Sequence, residues 1–319
     1  MRRFLPLLVL AVLVLLPYSA LFNAPGTLNL LALCAVFAGL AAGYDLLFGR
    51  TGLLSFGHAL YFAGGVYGTA VLVNRTSWPL WLAALVAVVG CTLLATLLGA
   101  VALRTNGIAF AMVTLAFAQV GAIVVARDPG GLTGGEEGLT VSSGIPSFLV
   151  GVAQTVNLYW LALAYLTVVL VVLHRISRSP AGRVLAAVRD DPRRVSVLGL
   201  SPYRFKVLSF VVSGGLAALG GVVYLMIVGG ASPHVASSDL TLTLLVMVVL
   251  GGPGTRFGPA IGGALFTFLD YKLTGYADRL PGPLSQPLFV LGVLFILAVY
   301  FFPGGLAQLR TRMRLPGRA

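Results

Sequence analysis

The stretch Arg175-Ile-Ser-Arg-Ser-Pro-Ala-Gly-Arg-Val-Leu-Ala-Ala-Val-Arg-Asp-Asp-Pro-Arg-Arg-Val-Ser-Val-Leu-Gly-Leu-Ser-Pro-Tyr-Arg-Phe-Lys206 decides how the rest of the chain is read. It holds eight of the 21 Lys and Arg residues, and apolar runs long enough to cross a bilayer flank it on both sides. The stretch must therefore lie in water, and its positive charge places that water on the cytoplasmic side. Its pattern predicts a short helix, with Ser179-Pro180 as the opening turn, Gly182 to Asp191 as the body, Pro192 as the stop and Gly199 beyond it. Val184, Leu185 and Val188 share one face, flanked by Arg183, Arg189 and Asp190. Such an amphipathic helix either lies on the membrane surface or docks into a partner.

Composition agrees with a membrane setting. The 319 residues are 58% hydrophobic and only 9% charged, with a mean hydropathy of +0.99, where a soluble domain carries about 25% charged residues. The net charge of +12 would suggest nucleic acid in a soluble protein. Here the basic residues sit at the ends of apolar runs, where the positive-inside rule and anionic membrane lipid account for them, so nucleic acid is not expected as a partner. Cys34 and Cys91 fall inside apolar runs and read as small buried residues, not as a disulfide.

Taken in order, the apolar runs cover 5–22, 28–48, 53–73, 79–103, 108–126, 157–174, 206–229, 240–254, 257–275 and 284–302. This predicts an all-α polytopic membrane protein, a single transmembrane domain over 1–319 with about ten helices. Met1-Arg2-Arg3 ahead of the first run would also suit a signal peptide, and a retained span is the preferred reading. With both termini cytoplasmic, 17 of the 21 basic residues fall inside and only Arg75, Arg127, Lys272 and Arg279 fall outside. The cytoplasmic loop then covers 175–205, a basic cytoplasmic tail covers 304–319, and the largest outer loop covers 127–156.

Two glycine-rich interruptions depart from plain helix: Gly49 to Gly65, and Gly251-Gly-Pro-Gly-Thr-Arg-Phe-Gly-Pro259. Irregular backbone at membrane depth is tolerated where protein buries it or where it lines a watery cavity, and breaks in two halves of a carrier point to its pathway. In the first interruption Ser55, Gly57 and His58 are candidates for a solute pathway, with Thr114 and Gln119 on the fifth run; a hydrogen-bonded packing role remains open for His58 and for the two polar groups. Asp45, Asp270 and Lys272 lie near the ends of runs and read as groups reaching for the interface.

The sequence also excludes chemistries. The only lysines, Lys206 and Lys272, follow Phe205 and Tyr271, so the Gly-Lys of a phosphate-binding P-loop is missing. No His-Glu-x-x-His, Cys-x-x-Cys or Gly-x-Ser-x-Gly is present, so no catalytic residue, metal site or cofactor is assigned.

Several strings, in order, resemble the permease subunits of branched-chain amino acid ABC importers: Gly52-Leu-Leu-Ser-Phe-Gly-His58, Arg104-Thr-Asn-Gly-Ile-Ala-Phe110, Leu132-Thr-Gly-Gly135, Gly182 to Asp191, Leu198-Gly-Leu200 and Leu250-Gly-Gly-Pro-Gly254. The resemblance covers residues 28 to 302. It implies a type II-like importer permease in a bacterial inner membrane. The implied partners are ATPase subunits that bind the ATP and Mg, a second homologous permease chain, and a periplasmic or lipid-anchored binding protein. Carried onto this chain, ATPase coupling falls on Gly182, Arg183, Ala186, Arg189, Asp190, Asp191 and Gly199, and docking of the binding protein falls on Thr133, Gly134, Gly135 and Glu136. Pro192 and the pair Glu136-Glu137 depart from the family pattern, and Pro192 predicts an early end to the coupling helix. The substrate class stays open between branched-chain or related amino acids and the urea or short amides of a sister family. An ATPase-independent secondary transporter or channel is the competing class; it would place an ionisable residue at the bilayer centre.

Overall fold

The computed structural model describes residues 25–76, 78–141, 155–276, 286–301 and 304–305. The expected span over 5–22, residues 142–154 of the outer loop, Arg279 and the tail beyond 305 lie outside the described residues. The helices are α1 (Pro25–Asp45), α2 (Phe48–Thr51), α3 (His58–Thr76), α4 (Leu80–Ala102), α5 (Ile108–Arg127), α6 (Thr155–Arg178), α7 (Pro180–Asp190), α8 (Pro192–Val197), α9 (Pro202–Val228), α10 (Ser238–Gly251), α11 (Gly258–Tyr276) and α12 (Pro287–Phe301). The only strands among the described residues are β1 (Leu139–Thr140) and β2 (Gly230–Ala231), which pair antiparallel with Leu139 opposite Ala231. The protein is thus an all-α polytopic membrane protein, with five described helices long and apolar enough to cross a bilayer.

The side chains are sorted for lipid, not water. On α4 the buried stripe is Leu80, Ala83, Ala87, Cys91, Ala95, Gly99 and Ala102, while Trp81, Leu85, Leu93 and Leu97 point outward. Small residues inside and large ones outside is what helix association in lipid demands, because burying a leucine out of hydrocarbon gains little and close backbone approach gains dispersion contacts. The crossing of α3 and α9 carries this furthest. A Cβ at Gly65 would strike the carbonyl of Ala218, and one at Gly221 would strike the carbonyl of Phe62.

Helix α1 is the hub, packed by α11, α6, α9 and α10. The third expected run begins five residues late: α2 ends at Gly52, whose φ of 76° is left-handed, and the chain stays irregular until His58. Three hydroxyls cover the backbone this exposes. Thr114 on α5 accepts from Phe56 N at 3.0 Å, Thr241 on α10 accepts from Ala59 N at 3.0 Å, and Ser55 Oγ accepts from Gly57 N at 3.2 Å. Buried amides without water need such partners.

Candidate functional site

The end of the bundle that carries α7 gathers both glycine-rich interruptions around that one helix. Ser179 caps α7, its Oγ accepting from Gly182 N at 3.2 Å, and Pro180 supplies the first helical residue. Pro192 does end α7, at Asp190, and opens α8. Asp191 caps α8 through Arg193 N at 2.8 Å and Arg194 N at 3.4 Å, and pairs with the Arg194 side chain at 3.1 Å. The amide of Arg193 first, then those of Arg194 and its charge, hold the Asp191 carboxyl below the ordinary aspartate range.

The apolar face of α7 neither lies on lipid nor awaits a partner. Leu185 and Val188 are buried within the chain, where α7 packs against α6, α2 and α9. Gly182 faces the same way, since a Cβ there would collide with the Ile176 carbonyl. Arg183, Ala186 and Asp190 are exposed, Ala186 and Asp190 at the rim of a cavity that Gly182, Leu185 and Arg189 also line, and Gly199 turns left-handed after α8 with open space around it.

Arg189 ties α7 to the bundle: its Nη1 donates to the Gly49 carbonyl. One turn back, Asp45 is 1% exposed and does not reach for the interface. Its Oδ1 accepts from Gly254 N at 2.7 Å, and its Oδ2 lies 3.6 Å from Arg50 Nε. Arg50 Nη1 in turn donates to the Leu173 carbonyl of α6 at 3.5 Å. Thus α7, the end of α1, α6 and the α10–α11 turn meet at one buried carboxylate. Gly254, with φ of 74°, admits this closeness: a Cβ there would sit 2.9 Å from Gly49 O.

In mid-bundle, Ser55, His58 and Thr114 are buried, as is Gly57. His58 Nε2 lies 2.7 Å from Ser213 Oγ, whose hydroxyl donates to Gly43 O at 2.7 Å, so Nε2 carries the proton and Nδ1 is a buried acceptor with no hydrogen-bond partner among the described residues. The ring packs edge-on against Tyr44, centroids 4.8 Å apart. Gln119 stands apart, exposed on α5, with its Nε2 donating to Ser238 Oγ at 3.0 Å.

At the opposite end of the bundle, Thr133 is a brace. Its N and Oγ1 reach Asp128 Oδ1 at 2.6 and 3.0 Å, and Oγ1 also reaches Val125 O at 2.8 Å. The Thr133 amide is the main cause that keeps the Asp128 carboxyl below its ordinary range. Gly135 is buried, while Glu136 and Glu137 are exposed at the tip. Arg75 Nη2 donates to Gly131 O, and Asn74 Nδ2 donates to Thr140 O at 3.1 Å, fastening the loop to α3.

This order of motifs meets a family match over residues 26–299, the family described as "Branched-chain amino acid transport system / permease component". The chain belongs to that family. This permease is 26% identical to the high-affinity branched-chain amino acid transport system permease protein LivM of Escherichia coli K12, over 98% of its own length and 77% of that protein. It is 24% identical to LivH of Salmonella typhimurium, covering 78% of this chain and 87% of LivH. The autoinducer 2 import system permease protein LsrC of Enterobacter sp. strain 638 is 32% identical over 53% of this chain and 50% of LsrC.

Sequence reasoning gave no site role to Arg50 or Ser213, read Asp45 as an interface-seeking group, and noted Gly254 only as part of a glycine-rich interruption. The signal available was scarcity, since a carboxylate among nine in 319 residues beside an apolar run invites a search for its partner.

Proposed function

We propose that the chain is the membrane-spanning subunit of a bacterial inner-membrane importer for branched-chain or related amino acids, driven by ATP hydrolysis in a partner subunit that docks on the exposed side of α7. The observation that carries the reading is the convergence on Asp45. A push on α7 reaches Gly49 through Arg189, and a displaced α1 end pulls Gly254 and the α10–α11 turn through Asp45. One contact from outside the membrane would therefore move α1, α6 and α11 together. Ten spans with both termini cytoplasmic put this cluster, and 17 of the 21 basic residues, on the ATPase side. The second permease chain is read as a homologue, since LivM and LivH of Salmonella typhimurium are both named permease proteins of high-affinity branched-chain amino acid transport and both are similar to this chain. The exposed tip Glu136-Glu137 is assigned to the binding protein, and Thr133 to holding that tip in shape.

The test is a photo-cross-linker at Ala187, which is exposed on α7, in native membranes. Capture of a P-loop ATPase, together with ATP-dependent leucine uptake by the reconstituted complex, supports the reading. Capture of lipid alone, with ATP-independent uptake, overturns it. LsrC, a relative named for a different cargo, makes a panel of unrelated small solutes part of the same assay.

A further inference from the structure

A cavity of about 370 Å³ opens where α7 meets the inner ends of α1 and α6. Arg50, Arg189 and Arg256 line it, with Asp190 as the carboxylate in the lining. Asp45, close by, is committed to Gly254 and Arg50. The positive field extends further, because His174 lies within electrostatic reach of Arg178, Arg256, Arg175 and Arg50. Arg189 has guanidinium donors to offer: among the described residues its side chain makes one hydrogen bond, to Gly49, while Arg50 Nε already faces Asp45 Oδ2 at 3.6 Å. Leu46 and Ile176 form an apolar wall beside these charges.

We infer that this cavity binds a phosphate-bearing anion. Planar guanidiniums grip phosphate oxygens in pairs, and basic pockets between helix ends on the cytoplasmic side suit lipid headgroups. The apolar wall favours the phosphodiester of an anionic phospholipid, its first methylenes lying on Leu46 and Ile176. Bound there, the anion joins α7 through Arg189, α2 through Arg50 and the α10–α11 turn through Arg256, and so stiffens the linkage centred on Asp45. The site stands without the transport reading; its control of coupling rests on it.

The experiment is native mass spectrometry of the purified full chain in detergent, titrated with dioctanoyl phosphatidylglycerol or dioctanoyl phosphatidylcholine. The structure predicts one retained phosphatidylglycerol, bound at least about fivefold more tightly than phosphatidylcholine, given roughly 1 kcal/mol per basic residue near such a headgroup. Arg256→Gln should weaken it by about fivefold on the same basis, while Arg256→Lys and Arg183→Gln, the latter outside the cavity, stay within about twofold. Displacement by millimolar inorganic phosphate assigns the same site to a free anion, and its absence assigns it to lipid. Equal binding of the two lipids, or equal losses in Arg256→Gln and Arg183→Gln, overturns the proposal and leaves the cavity to an acidic side chain of a protein partner. Thermal midpoints of the variants separate loss of the site from loss of the fold.

Discussion

Asp45 accepts the amide hydrogen of Gly254 at 2.7 Å across 209 residues of sequence. The bond holds the second glycine-rich interruption to the end of α1, one turn before the first interruption begins at Gly49. The same carboxylate faces Arg50, so Asp45→Ala strands a buried guanidinium and a backbone N–H at once. The cost should be on the order of 3 kcal/mol. Asp45→Asn keeps an acceptor for Gly254 and should lose clearly less. Thermal unfolding of the detergent-purified protein reads both, and equal midpoints for Asp45→Ala and wild type would remove the carboxylate from its central place.

Arg189→Gln tests coupling apart from stability. The side chain lies on the surface of α7 and its bond goes to a carbonyl, so the fold should survive, while the link from α7 to Gly49 is lost. Leucine uptake by the reconstituted complex should fall by about tenfold or more, equivalent to roughly 1.4 kcal/mol of lost linkage, with ATP hydrolysis by the partner largely retained. Parallel loss of uptake and hydrolysis would instead mean that α7 no longer docks.

The glycine contacts between α3 and α9 make a sharp comparison. At Gly65 and Gly221 the obstructing atoms are backbone carbonyls, which cannot swing aside as a side chain would. Gly65→Ala and Gly221→Ala should each cost about 1–3 kcal/mol, and more if the helices cannot separate. Gly90→Ala on α4 meets nothing within 4 Å and should be neutral or gain up to about 1 kcal/mol from lower chain entropy. Midpoints from the same melts decide the order.

The sequence carried the long elements because each needs only a local signal. Runs of about 20 apolar residues are visible without partners, and Ser179-Pro180 and Pro192 mark both ends of α7 by backbone chemistry alone. The facing of α7 was not legible in the same way. Val184, Leu185 and Val188 look identical whether their cover is lipid, a partner or the chain itself, and only the fold shows α2 and α9 beneath them. Asp45 was misread for a related reason: a carboxylate one turn from a helix end reads as surface-seeking unless its distant partner is known. Thr133 and Thr114 carry bonds the sequence did not announce: Thr133 Oγ1 reaches Val125 O and Asp128 Oδ1, and Thr114 Oγ1 accepts from Phe56 N.

The pH response of α8 follows from its cap. The Asp191 carboxyl is held below its ordinary range, so its contribution to folding is fully present above the unfolded value of about 3.9 and is lost as pH falls through the lower folded value. Hydrogen exchange of the Arg193–Val197 amides should therefore be steady, after correction for intrinsic rates, from neutral pH down to about 4 and should rise below that. Asp191→Asn retains a capping acceptor and should abolish the rise, whereas Asp191→Ala should show the faster exchange at every pH.

The pair His58 and Ser213 supplies the last test, because a hydrogen bond within the bundle is distinguished from mere packing by an uneven mutant cycle. Ser213 passes its proton to Gly43 O and receives that of His58. Ser213→Ala leaves the imidazole N–H without its acceptor inside protein, at about 1–3 kcal/mol. Replacing His58 by Phe in the Ser213→Ala background removes the orphaned donor and keeps an aromatic ring against Tyr44. The double variant should then be more stable than Ser213→Ala alone, and a double variant that is less stable would show that the hydrogen bond contributes little there. Uptake by the double variant is the second reading. If it transports leucine at near the normal rate, His58 holds helices together; if the variant is stable and inactive, the unpartnered Nδ1 is what the solute meets.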